Sequence, residues 1–223
     1  MYEADSPAPL QTTSGATIMR PTNYLMLERK QNPIKGQYAI DPSISIPQSL
    51  LPLLPAGTKE SDRKNVMLKS AKKIDVDIAL LNPRHPMGKP TTLTLESTHG
   101  SVNLQLRTTP ADPLRRAPFN ATITATYGSA TIWLPADFQG LVSIYTLYGS
   151  VKISNKFLEH VTLRHEAEHT ERLFVGDLTA LSEQDSNFRD EVYVSAQHGV
   201  VRVCFLDEED QHKKRFFVRM FGR

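Results

Sequence analysis

The sequence predicts an all-β protein: a single-chain β-solenoid of about six rungs, of parallel β-helix type. Three observations predict it. One short phrase occurs four times, as STHGSVNLQL around Gly100, TATYGSATIWL around Gly128, YTLYGSVKI around Gly149 and SAQHGVVRVCF around Gly199. Apolar residues alternate on both sides of each glycine. Leu95, Ile123, Ile144 and Val194 stand five before it, Val102, Ala130, Val151 and Val201 two after, and Leu104, Ile132, Ile153 and Val203 four after. A period of two marks half-buried strands. Finally, the glycines lie 28, 21 and 50 residues apart, and 50 reads as two steps of 25. A lone unit of this kind cannot bury its apolar face, so such units stack.

Taken in order, residues 1–22 are rich in Ser, Thr, Pro and Ala with little to bury, and read as a disordered tail. Residues 23–64 carry apolar pairs but no repeat. Pro33, Pro42, Pro47, Pro52 and Pro55 argue against long helices there and for an extended segment that wraps the domain, followed by the polar connector GTKESDRKN. The repeats occupy 65–206. NVMLKSAKKIDVDIAL opens them with one residue deleted and Lys73 near the glycine position, so Ile74, Val76 and Ile78 point inward and Asp75 and Asp77 outward. A worn rung is expected near residue 175, where LFVGDLTAL offers Gly176 and Glu171 stands in an apolar position. Residues 207–223 are left as a C-terminal cap or tail, because open solenoid ends need covering. At each copy the glycine is expected to serve a bend where a Cβ would be strained, with a small residue three before it: Ser97, Ala125, Thr146 or Ala196. The rival fold is a β-sandwich using His-Gly and Tyr-Gly as hairpin turns, although two-residue turns favour Asn-Gly and Asp-Gly.

Composition narrows the function classes. Lys plus Arg number 26 against 24 for Asp plus Glu in 223 residues, a net charge of +2. No single-sign field steers nucleic acid, and no nucleic-acid partner is expected. The longest apolar stretch, Leu50 to Ala56, is short and holds two prolines, so no membrane span is expected. MYEADSPAPLQTTSG lacks a basic start and an apolar h-region. The one cysteine, Cys204, excludes an internal disulfide and is expected outward as an ordinary thiol. These features favour a soluble cytoplasmic protein, with the nucleus as the other compartment.

HEAEH, residues 165–169, is the most catalytic-looking segment. On a helix, His165 and His169 would share a face and bind zinc, with Glu166 as general base and Glu183 or Glu191 as a third ligand. Against that, Glu168 stands between the histidines, RHEAEHTER is polar all round, and Arg172 occupies the glycine position of the longer metzincin pattern. Solvated surface charge in a worn rung is the preferred reading. A polysaccharide-cleaving face would need gathered carboxylates. The outward columns Asp75, Asn103, Thr131, Lys152, Arg202 and Asp77, Gln105, Trp133, Ser154, Cys204 supply acids only in the first rung.

Trp133 is expected outward, covered by residues 23–56 or free to stack on a sugar. His99, Tyr127, Tyr148 and His198 precede the four glycines and would form a side-chain ladder, or a ligand strip, along one corner. The tail KKRFFVRMFGR reads as a closing strand with solvated charges, and Arg115 and Arg116 fall in an excursion over 108–118.

With these residues in view, the chain resembles an uncharacterised fungal family, a domain of unknown function found in many basidiomycete proteins. The likeness runs through NYLMLERKQNPIKGQYAIDPSISIP, KNVMLKSAKKIDVDIAL and the Gly-Ser strand units, covering about residues 23–206. The repeated small-residue–Gly–strand units are also similar to adhesin-like domains of bacteria, which fold as β-solenoids. Neither resemblance implies a catalytic residue, and HEAEH falls outside the family pattern. The expectation is a non-enzymatic scaffold or interaction surface for a protein or glycan partner. No catalytic residue, cofactor or metal is expected; Trp133, Tyr127 and Tyr148 are the candidate binding surface. The alternatives are a zinc peptidase at His165, Glu166 and His169, and a carbohydrate-binding surface around Trp133.

Overall fold

Each glycine phrase becomes two strands that enter different sheets. The computed structural model describes residues 20–54, 57, 59–83, 89–109, 117–177 and 190–208. Its strands are β1 (Leu25–Arg29), β2 (Ile34–Ile40), β3 (Val66–Ser70), β4 (Ile74–Leu80), β5 (Thr91–Ser97), β6 (Val102–Thr108) and β7 (Phe119–Ala125). They continue with β8 (Ala130–Leu134), β9 (Gly140–Thr146), β10 (Ser150–Ile153), β11 (Val161–Ala167), β12 (Thr170–Val175), β13 (Asp190–Ala196) and β14 (Val200–Phe205). An eight-stranded sheet runs β1-β3-β5-β7-β13-β9-β12-β11, and a six-stranded sheet runs β10-β14-β8-β6-β4-β2. The six-stranded sheet is parallel throughout. In the larger sheet only β12 is reversed, pairing antiparallel with both β9 and β11. Because β5 and β6 lie in different sheets, as do β7 and β8, the glycine between them marks a corner and not a hairpin turn.

Alternation decides which residues meet between the sheets. The inward rows are continuous: Leu95, Ile123, Val194 and Ile144 on one sheet, and Val76, Leu104, Ile132 and Val203 on the other. They belong to one hydrophobic cluster. Burying each large aliphatic side chain is worth about 1.5–3 kcal/mol, which makes these rows the main stabilising feature. Ile74, Val76 and Ile78 lie inward, with Asp75 and Asp77 on the outer face beside Lys73 and Arg107.

Two expectations are corrected. The chain does not stack its strand pairs in sequence order: β13 and β14 insert between β7–β8 and β9–β10. Asp190, at the start of β13 and 1% exposed, explains the fit. Its carboxylate accepts hydrogen bonds from Phe119 N (3.1 Å) and Gln139 N (3.4 Å), tying the inserted strand to both neighbours. The worn rung near Gly176 is not a rung. LFV closes β12, which pairs antiparallel with β11 on one side and β9 on the other, so the 50-residue step from Gly149 to Gly199 holds a hairpin.

The N-terminal segment supplies β1 and β2, which extend both sheets at one edge beside β3 and β4. β2 lies three strands from β8, the strand of Trp133. Asn23, 3% exposed, helps fasten this edge. It donates to Pro42 O (3.2 Å) and Ile44 O (3.1 Å) and accepts from Asn65 Nδ2 (2.7 Å). Residues 1–19 and 209–223, which include most of the expected tail and cap, lie outside the described residues, as do Arg115 and Arg116.

At the opposite end, the short helix α1 (Asn155–Leu158) plugs the core with Phe157. Ser154 caps it, its hydroxyl accepting from Phe157 N at 3.1 Å. The Phe157 ring is fully buried, 6.3 Å from Phe138 and 4.8 Å from Phe205 between centroids. Among the described residues, no helix is long and apolar enough to cross a membrane.

Candidate interaction surface

The corner glycines are required by proximity and not by a left-handed bend. A Cβ on Gly128 would stand 2.1 Å from Gly100 O, one on Gly199 2.1 Å from Gly128 O, and one on Gly149 1.9 Å from Gly199 O. Positive φ among the described glycines occurs at Gly36, Gly57, Gly140 and Gly176 instead. Such tight corners bring the preceding rings into contact. His99 stacks on Tyr127 (5.4 Å), Tyr127 on His198 (5.3 Å) and His198 on Tyr148 (5.1 Å). The inserted pair places His198 between the two tyrosines. Tyr127 and Tyr148 are 60% and 72% exposed, yet the stacked faces of Tyr127 are used by its neighbours. The ladder braces one corner, and its ring edges and hydroxyls are what it presents to solvent.

HEAEH forms a hairpin, not a helix. His165, Glu166 and Ala167 end β11, Ala167 pairs with Thr170, and Glu168 and His169 form the turn. His165 faces Arg172 across the strands, while the His169 ring meets Tyr145 edge-on at 6.4 Å. The one-turn spacing that would align two imidazoles on a helix is therefore lost. Among the described residues, no group of three or more His, Cys, Asp or Glu is placed to hold a metal ion. Glu183 lies outside the described residues, and Glu191 sits on β13, two strands from β12.

On the inner side of this hairpin, Glu171 is 6% exposed, as its apolar position in the alternation implies. Arg164 Nε lies 2.8 Å from Glu171 Oε1, an ion pair short of a directed hydrogen bond. Burial raises the Glu171 carboxyl above the usual range, Arg164 opposes this, and Glu166 adds to it.

Trp133 points outward, half-buried on the six-stranded sheet between Gln105 and Cys204. The acids of that face are engaged: Lys73 Nζ is 2.7 Å from Asp75 and Arg107 Nε 2.9 Å from Asp77. Cys204 is pushed up to about 11, chiefly by burial and further by Glu208, and is unreactive as a thiolate at neutral pH.

A surface the repeat columns did not single out lies on the outer face of the eight-stranded sheet. A groove of about 450 Å³ crosses β5, β7, β13, β9 and β12. Strand register sets its central row: Thr94, Thr122, Tyr193, Ser143 and Arg172, with His165 next on β11. Tyr193 is 44% exposed, and Glu191 lines the groove beside it. Among the described residues, Thr94, Thr122, Ser143, Arg172, Glu191 and Tyr193 make no side-chain hydrogen bond or ion pair. The signal was present in the repeat: Thr94, Thr122, Ser143 and Tyr193 each stand six residues before a corner glycine.

No curated protein and no solved structure matches the chain. The family described as Domain of unknown function (DUF7330) matches residues 23–208, and the chain belongs to it.

Proposed function

We propose that the protein is a non-enzymatic β-solenoid module that presents the groove of its eight-stranded sheet to another macromolecule. The observation that carries this reading is the row around Tyr193. Polar groups line a concave surface and have their hydrogen-bonding capacity unused among the described residues. A wall of regular strands holds such groups at fixed spacing, so little ordering is needed on binding. The non-enzymatic part rests on the hairpin form of HEAEH and on the ion-paired state of Asp75 and Asp77, which leave neither motif arranged as an acid–base pair.

The test uses the immobilised full chain and separate protein, nucleic-acid and polysaccharide fractions of a cell extract. One fraction is expected to be retained and recovered chemically unchanged. Retention should fall with Tyr193→Ala and persist with Gln105→Ala on the other sheet. Equal retention by both variants, or release of a cleaved product, would overturn the proposal.

A further inference from the structure

We infer that the occupant of this groove is an extended, uncharged, β-linked polysaccharide chain lying across the strands; the inference rests on the binding role proposed above. Geometry comes first. Thr94, Thr122, Tyr193, Ser143 and Arg172 sit on five adjacent strands at one register. Adjacent strands are about 4.8 Å apart, so the row presents one polar side chain per step over about 19 Å. An extended β-linked hexose chain advances by nearly the same step per sugar, and about four residues would span the row. An extended peptide advances about 3.4 Å per residue, so it drifts out of phase with this row.

Chemistry points the same way. Hydroxyl side chains both donate and accept, as sugar hydroxyls do, and Thr94, Thr122 and Ser143 supply three in line. Tyr193 stands mid-row and is 44% exposed, its side chain an apolar face with a polar tip suited to the C–H face of a pyranose. Lys64 and Arg172 bring two positive charges to the lining against one negative charge from Glu191, a surplus of one that is far short of the basic surface a polyanion such as nucleic acid needs. Each polar group named remains without a side-chain partner among the described residues, so a sugar would replace water there and break no bond within the protein.

The experiment is calorimetric titration of the full chain with neutral β-linked glucose, N-acetylglucosamine, xylose and mannose oligosaccharides from disaccharide to hexasaccharide. Polygalacturonate and an uncharged extended peptide serve as comparison ligands. At least one neutral series should bind, with affinity rising with length and levelling beyond about four sugars. Tyr193→Ala should weaken it by roughly tenfold or more, while Gln105→Ala leaves it unchanged. Circular dichroism of each variant separates lost binding from lost fold, and Tyr193→Phe, which keeps the ring, should retain most of the affinity. The inference fails if no neutral series binds at millimolar ligand, if Tyr193→Ala binds as well as the native chain, or if polygalacturonate or the peptide binds more tightly. Should the extract experiment still find a Tyr193-dependent ligand, the binding role stands and the glycan assignment alone falls.

Discussion

Adding one methyl group at Gly128 tests the corner stacking directly. In Gly128→Ala the new Cβ would stand 2.1 Å from Gly100 O, whereas ordinary contact begins at 3.4 Å. The two corners must therefore separate by 3.4 − 2.1 = 1.3 Å along the line of that contact. The same corners are joined by Thr126 N to Ser97 O (3.0 Å) and Tyr127 N to Thr98 O (2.9 Å), which such a shift would break or distort. Two backbone hydrogen bonds contribute about 1 kcal/mol each. Overpacking strain adds about 1–3 kcal/mol. The stiffer unfolded chain returns about 0.4–1 kcal/mol, leaving a net loss of about 3 kcal/mol. In urea unfolding the midpoint should fall by roughly 1–1.5 M with the slope unchanged. Tyr127→Ala is the control, since it removes the neighbouring ring but forces nothing apart, and should cost about 1 kcal/mol. A loss at Gly128→Ala below about 1 kcal/mol, or no larger than the control's, would refute the close-approach argument.

Other expectations follow from the ends and the buried groups. Phe157→Ala should destabilise by about 3–5 kcal/mol, because its fully buried ring closes the core; denaturant melts check it, and a loss under about 1 kcal/mol would mean the helix is not the plug. Burial raises the Glu171 carboxyl, so the folded state keeps that proton to higher pH than the unfolded chain. Its contribution is thus most favourable below the unfolded value and declines as pH rises through the interval up to the folded value. Urea midpoints of the native chain and Glu171→Gln, measured from acid to neutral pH, should diverge in the variant's favour as pH rises; a constant difference would refute the buried-carboxylate account. Cys204, pushed up to about 11, should react with iodoacetamide at pH 8 roughly a hundredfold more slowly in the folded protein than in the urea-unfolded chain. Equal rates would place the thiol in open solvent.

The strands of the glycine phrases, their inward faces and the ring column were legible because side-chain parity is local. Two steps along a strand return to the same face whatever the strand pairs with. That is why Leu104, Ile132 and Val203 align as counted from their glycines, and why His99, Tyr127, Tyr148 and His198 stack. It also made Glu171 conspicuous as a carboxylate in an inward position. The hairpin form of HEAEH was not legible, because a five-residue motif carries no statement of backbone geometry; pairing of Ala167 with Thr170 decided it.

Stacking order was beyond local rules, since every copy of the phrase offers a similar corner and similar apolar rows to any other. Long-range contacts chose it. Asp190 bonds to both flanking strands, and β12 occupies the side of β9 away from β13. Only that order sets Tyr193 between Thr122 and Ser143 and so forms the centre of the groove. The sequence by itself determined which side chains face outward; the tertiary structure decided which of them are neighbours, because adjacency between strands depends on pairings far apart in the chain.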